Sequence, residues 1–155
     1  MALLSRKIDY ALLLLAELLN REEGASAREL ADRFQLSRPF IANILKELCQ
    51  GGLVESSRGV HGGYRLAVDP HDITIHGLIK LLEGDLQLVA CSGEHPDGEC
   101  GLLEVCPVRR PLRRLHEKMI GLLSEMTLAE LATDEPALVR LQWETVTNAQ
   151  AADLS

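Results

Sequence analysis

The sequence predicts a mainly α fold with a small β-wing, and three observations carry that prediction. Helix caps and apolar residues at helical spacing recur through residues 5–50. Two short strand-like runs flank a Gly-rich tip at 58–63. A 4-3-4-3-4 apolar spacing begins at Val108. Aromatic residues make up only 3% of a chain that is 46% hydrophobic, so the core is aliphatic, and Leu-rich helices are the natural way to build it.

Taken in order, Ser5 caps a first helix running to about Asn20. Its apolar face holds Ile8, Ala11, Leu12, Leu15, Leu18 and Leu19, with Leu13 and Leu14 outside it. A helix apolar nearly all round is buried on more than one side, and the second cover is expected to be another subunit. After Gly24, Ser26-Ala27-Arg28-Glu29 is a capping box that opens a second helix with Leu30, Ala31 and Phe34 inward. Gln35-Leu36 turns the chain, and Ser37 caps a third helix whose first turn tolerates Pro39. Ile41, Ile44, Leu45 and Leu48 form its buried face, and Gly51-Gly52 stops it.

Leu53–Ser57 and Tyr64–Val68 read as strands of a hairpin, and Asp69-Pro70 ends the second. Thr74 caps a further helix with Ile75, Leu78, Ile79 and Leu82 inward, ended by Gly84. Cys91 to Cys106 is polar and turn-rich. The helix after it carries Val108, Leu112, Leu115, Met119, Leu122 and Met126, a seam too short to stand alone but able to pair with its twin. Thr127 and Glu130 mark a restart, and beyond Pro136 a weak helix covers 137–147 before a frayed end. Helix, turn, helix, hairpin is the order of a winged helix-turn-helix, here followed by a long C-terminal dimerisation helix. The expected division is a DNA-binding domain at 1–85, a cysteine-rich loop at 86–107, a dimerisation helix at 108–132 and a tail at 133–155.

The net charge of −7 argues against a nucleic-acid binder until the chain is divided. Residues 1–70 hold 9 Lys/Arg and 9 Asp/Glu, whereas residues 71–155 hold 7 and 14, so the acidity lies in the second half. Double-stranded DNA needs a local basic face and not a basic protein. In this fold the third helix enters the major groove by its N-terminal end, which places Ser37, Arg38, Pro39 and Phe40 there, with Asn43 and Lys46 further along. Arg38 suits guanine, Asn43 adenine and Lys46 a phosphate. Arg58, His61 and Arg65 flank the wing, where arginine suits a narrow minor groove, and Arg28 reaches the backbone from the second helix.

The four cysteines divide into a cluster and an outlier. Cys91, Cys100 and Cys106 share one loop and offer three soft thiolates, which iron–sulfur clusters and zinc both favour. With His95 the same loop makes a Cys₃His zinc site, and a metal-free thiol switch also fits. Cys49, beside Leu48, reads as a small buried hydrophobe. Asp9, on a helix otherwise nearly apolar, is either a helix-start carboxylate stabilised by the dipole or ion-paired with Lys7 or Arg6, or a metal ligand. Arg6 and Lys7 before an apolar stretch resemble the start of an export signal, but Asp9 and Glu17 interrupt the stretch and no small-residue cleavage site follows. No run of about 18 apolar residues exists. A cytoplasmic location with no membrane partner is therefore expected. No cofactor fingerprint or nucleophile–base pair points to an enzyme, which leaves an electron carrier or catalyst as the remote alternative.

Together, Asp9-Tyr10-Ala11, Ser37-Arg38-Pro39-Phe40-Ile41, Gly51-Gly52-Leu53-Val54, the wing run Gly59–Leu66 and three cysteines before a long helix resemble the Rrf-two family of winged-helix transcription regulators, the IscR/NsrR/SufR group. The resemblance covers roughly residues 1–131. It implies a homodimer whose long helices pack across a two-fold, a palindromic operator, and a 2Fe-2S or 4Fe-4S cluster held by Cys91, Cys100 and Cys106. The cluster's state would alter the fit to DNA, making the protein a redox or nitrosative-stress sensor and a repressor. NsrR-like members complete the cluster with an acidic residue from the first helix of the partner, the position Asp9 holds. IscR-like members use a His three residues after the last Cys, where this chain has Arg109. The long first cysteine spacing looks closer to SufR-like regulators.

Overall fold

The computed structural model describes residues 4–21, 23–57, 62–89 and 105–132. Among the described residues, six helices and one two-stranded antiparallel sheet follow in the order α1 (Arg6–Leu19), α2 (Ala27–Phe34), α3 (Arg38–Gln50), β1 (Val54–Ser57), β2 (Gly63–Leu66), α4 (Ile75–Glu83), α5 (Arg109–Glu125) and α6 (Leu128–Ala132). The fold is mainly α with a small β-wing, as expected.

α1 is the centre of the protomer, packed by α3, α4, α6 and β2. The Ser5 hydroxyl caps it by accepting from the Ile8 N–H at 3.3 Å. The buried stripe is Ile8, Ala11, Leu14, Leu15 and Leu18. This corrects the sequence pattern: Leu14 lies inside the stripe, and Leu12 and Leu19 are only half-buried. The reason is that neighbours cover α1 on several sides, so its apolar face is wider than one helix partner requires. Leu13 is the side chain left outside, at 39% exposed.

α2 opens on the expected capping box, with Ser26 Oγ accepting from the Glu29 N–H and Glu29 accepting from the Ser26 N–H at 2.7 Å. These two hydrogen bonds also hold the Glu29 carboxyl below its usual range, the backbone N–H contributing most. The turn to α3 passes through Gln35, at φ 54° and ψ 42°, the one non-glycine residue with positive φ among those described. Ser37 stands at the N-cap of α3, but its hydroxyl makes no cap hydrogen bond, so the cap is made by backbone alone. Ile41, Ile44, Leu45 and Leu48 are the buried face of α3, joined in one core with Leu30, Ala31, Val54, Leu78, Ile79 and Leu128.

The strands are shorter than their apolar runs. Leu53 sends its N–H back to the Leu48 carbonyl at 3.0 Å, closing α3, so pairing starts at Val54 opposite Leu66. β2 is also tied to the entry of α2, because Ala25 and Tyr64 exchange two backbone hydrogen bonds at 2.9 and 2.8 Å. That close approach explains two glycines of the sequence. Gly24 sits at φ +77°, where an added Cβ would lie 2.5 Å from the Tyr64 carbonyl oxygen. A Cβ on Gly63 would lie 2.9 Å from the backbone of Ala25.

Thr74 caps α4, whose Ile75, Leu78, Ile79 and Leu82 turn inward. α5 differs from every other helix longer than one turn: none of its 17 residues is buried. Its last turn rejoins the core through Leu123 and Met126, so Met126 leaves the expected seam for its own protomer. Thr127 and Glu130 exchange capping hydrogen bonds that restart the chain as α6. α6 buries Leu128 and Ala129, and their N–H groups bond to the carbonyls of Ile73 and Pro70 at 2.8 and 3.2 Å.

Candidate nucleic-acid interface and metal centre

The α2–turn–α3 unit and the wing together present the candidate DNA face. Arg38 and Pro39 lie exposed in the first turn of α3, and Ser37, Asn43 and Lys46 are also exposed. Phe40 differs from these: it is half-buried and meets the Tyr10 ring edge-on at 5.3 Å, which locks the start of α3 to α1. Arg65 projects from β2 and pairs with Glu55, its partner across the hairpin. Arg28 and Arg38 converge on one carboxylate, Asp32, with N–O distances of 3.7 and 3.4 Å. Arg58 and His61 lie outside the described residues.

Two ion-pair clusters fix the angle of this unit on the rest of the protomer. Glu17, with a side chain only 10% exposed, takes Arg21 at 2.6 Å and Arg33 of α2 at 2.9 Å. Lys7 reaches Glu47 near the end of α3 at 2.6 Å and donates to the Leu82 carbonyl of α4 at 3.0 Å. Sequence inspection misses Lys7, Asp32 and Glu55 as members of this face. The four-residue interval from Arg28 to Asp32 was a usable signal. Glu17 to Arg21 has the same interval, whereas the contacts of Lys7 with Glu47, Arg33 with Glu17, Arg38 with Asp32 and Arg65 with Glu55 join separate elements and need the fold.

Of the expected metal ligands, Cys106 and Asp9 lie in described residues, whereas Cys91, Cys100 and the spare candidate His95 do not. Cys106 is half-buried just before α5, and its carbonyl accepts from the Arg109 N–H at 3.5 Å. Asp9 is exposed in the first turn of α1. Neither of its neighbouring cations holds it: Lys7 turns to Glu47. A thiol at the head of α5 and an accessible carboxylate on α1 fit the donor chemistry of a metal centre built between elements. Among the described residues no group of three or more such ligands is assembled. Burial pushes the Cys49 thiol up, in keeping with a packing role away from this loop.

A helix-turn-helix followed by a two-stranded wing, set on an aliphatic core, is the winged-helix architecture of DNA-binding regulators. Residues 4–134 match the family described as "Rrf2: Iron-dependent Transcriptional regulator". The chain is 35% identical over 137 residues to the HTH-type transcriptional regulator NsrR of Geobacillus kaustophilus, covering 87% of this chain and 92% of that one. It is 31% identical over 110 residues to the HTH-type transcriptional regulator IscR of Vibrio parahaemolyticus, covering 71% and 64% of the two chains. Among solved structures it is similar to CymR, the global cysteine regulator of B. subtilis, with a TM-score of 0.68 and 30% identity over 86% of this chain and all of that one. The chain belongs to the Rrf2 family. It is a DNA-binding transcription regulator and not an enzyme. No described helix is long and apolar enough to cross a membrane.

Proposed function

We propose that this regulator senses an iron–sulfur cluster and binds a palindromic double-stranded operator as a homodimer, acting as a repressor of cluster-assembly or redox and nitrosative-stress genes. What supports the reading is the sequence order of Cys91, Cys100 and Cys106 ahead of α5 together with the exposure of Asp9 in the first turn of α1. Cys91, Cys100 and Cys106 would hold the cluster, with Asp9 of the partner subunit completing the set. When bound, an iron–sulfur cluster supplies a link that oxidation, nitric oxide or iron shortage alters.

The protein's own residues supply the path from that link to DNA. Asp9 is two residues from Lys7, and Lys7 joins α1 to the last turn of α3 and to α4. Tyr10, on the other side of Asp9, packs on Phe40 at the start of α3. A pull on the first turn of α1 therefore acts on both ends of the recognition helix. In a dimer this sets the separation of the two recognition helices, which must match half-sites about one helical turn apart. Such a switch works only to the extent that the two states differ in affinity for DNA.

The homodimer reading is supported by α5. Val108, Leu115 and Leu122 are 51%, 47% and 45% exposed, an apolar row that the described residues leave about half open.

Anaerobic purification followed by absorbance and by iron, sulfide and zinc analysis tests the sensor reading. Brown protein with iron and acid-labile sulfide, lost in Cys100→Ala, is the expected result. Colourless protein with stoichiometric zinc would overturn it and make the loop structural.

A further inference from the structure

Every described arginine on the candidate DNA face is already engaged by a carboxylate in the DNA-free protein. Arg28 and Arg38 share Asp32, and Arg65 holds Glu55. These pairs are open to water: the side chains of Arg28, Arg38 and Asp32 are 73%, 56% and 59% exposed. Exposed pairs of this kind add little to stability. A carboxylate among groups that must meet phosphates is also a liability for affinity, since it repels the backbone it faces. The i,i+4 spacing to Arg28 supports α2, but it does not account for the second arginine, Arg38 of α3, on the same carboxylate.

We propose that Asp32 is a specificity-determining residue of the DNA face, a built-in competitor that withholds Arg28 and Arg38 from phosphates of the wrong sequence. The proposal rests on the placing of Arg38 in the reading helix. Non-specific binding is driven by cations collecting on phosphates wherever the duplex offers them. To join it, Arg28 and Arg38 must leave Asp32, and Asp32 must then sit beside phosphate without a partner. A guanine edge asks less. The guanidinium has five N–H donors in a planar fork, so Arg38 can keep its NH2 group on Asp32 while another edge reaches the base. The carboxylate then orients the fork and remains neutralised. The net charge of zero over residues 1–70 agrees with a surface tuned against indiscriminate binding.

The test is Asp32→Asn, which keeps the size and removes the charge, in the full-length protein purified anaerobically. Two duplexes are compared by fluorescence anisotropy across a salt series: one enriched from a random-sequence pool by the wild-type protein, and one of scrambled sequence with the same composition. The scrambled duplex is expected to bind about 3–10-fold more tightly, with a salt dependence steeper by about one counterion. Affinity for the selected duplex is expected to change by less than about 3-fold, so discrimination falls. Unchanged discrimination and slope would overturn the proposal. So would equal weakening on both duplexes, the signature of a merely structural role. Arg38→Ala, run alongside, must weaken the selected duplex. If it does not, the placing of the recognition helix has failed, and the role of Asp32 falls with it.

Discussion

Removing the apolar row of α5 tests whether it is a subunit interface, and its size can be worked from the protomer. Leu115 and Leu122 are 47% and 45% exposed, so each has roughly half of its surface left to bury. Complete burial of a leucine stabilises by about 1.5–3 kcal/mol, which makes the remaining half worth about 1 kcal/mol. A two-fold interface uses each residue twice, so Leu115→Ala with Leu122→Ala removes four half-buried side chains, or about 4 kcal/mol. Since 1.4 kcal/mol is tenfold in affinity, the dimer dissociation constant should rise about 10³-fold. The protomer should survive, because α5 buries no residue in its own core and alanine favours the helix. Sedimentation equilibrium from nanomolar to micromolar protein measures the change, with far-UV circular dichroism confirming an intact fold. A shift of less than about tenfold in a folded double variant would refute the α5 interface.

Other expectations follow from single contacts. The Glu29 carboxyl is held down by hydrogen bonds to Ser26, so its stabilising contribution is present above the ordinary carboxylate range and lost as pH falls through its lowered folded value. Thermal melts of wild type and Glu29→Gln should therefore differ at neutral pH and converge in acid; a gap independent of pH would exclude charge as its source. Gly24→Ala forces a side chain into φ +77° and against the Tyr64 carbonyl, which should cost about 2–3 kcal/mol in urea unfolding and loosen the wing. A loss under about 1 kcal/mol would mean the Ala25–Tyr64 bridge yields freely. Lys7→Met and Glu47→Gln, at half-exposed positions, should each cost about 1 kcal/mol or less and be coupled in a double-mutant cycle. Lys7→Met should also reduce the difference in operator affinity between cluster-loaded and cluster-free protein, and an unchanged difference would remove Lys7 from the path. Asp9→Ala should retune the cluster spectrum or its oxygen stability, whereas an identical spectrum and lifetime would strike Asp9 from the ligand set.

Much of this molecule was legible before its structure, and the physics explains which parts. Caps are local: Ser5, Ser26-Glu29, Thr74 and Thr127-Glu130 satisfy backbone N–H groups within three residues, so their spacing alone announces them. The buried faces of α3 and α4 were readable because each has one principal apolar stripe. α1 was misread at Leu14 because a central helix answers to several neighbours, and periodicity cannot say how many there will be. Met126 packs on its own protomer's core because the same spacing serves a partner helix or that core, and only the packing of α6 on α1 and the Leu128–Ile73 backbone hydrogen bond decide between them. For the site, residue types alone nominated Arg28, Arg38 and Arg65. The Arg28–Asp32 pair is a four-residue interval on α2, but folding alone brings Arg38 of α3 to the same carboxylate and sets Glu55 opposite Arg65 in the hairpin register. The sequence by itself determined the helices, the wing and the chemistry of the available ligands, because those depend on contacts a few residues apart. Only the tertiary structure decided that Lys7 and Tyr10 of α1 hold the two ends of α3 through Glu47 and Phe40, because those contacts join separate elements far apart in the chain, where burial and charge pairing act through space.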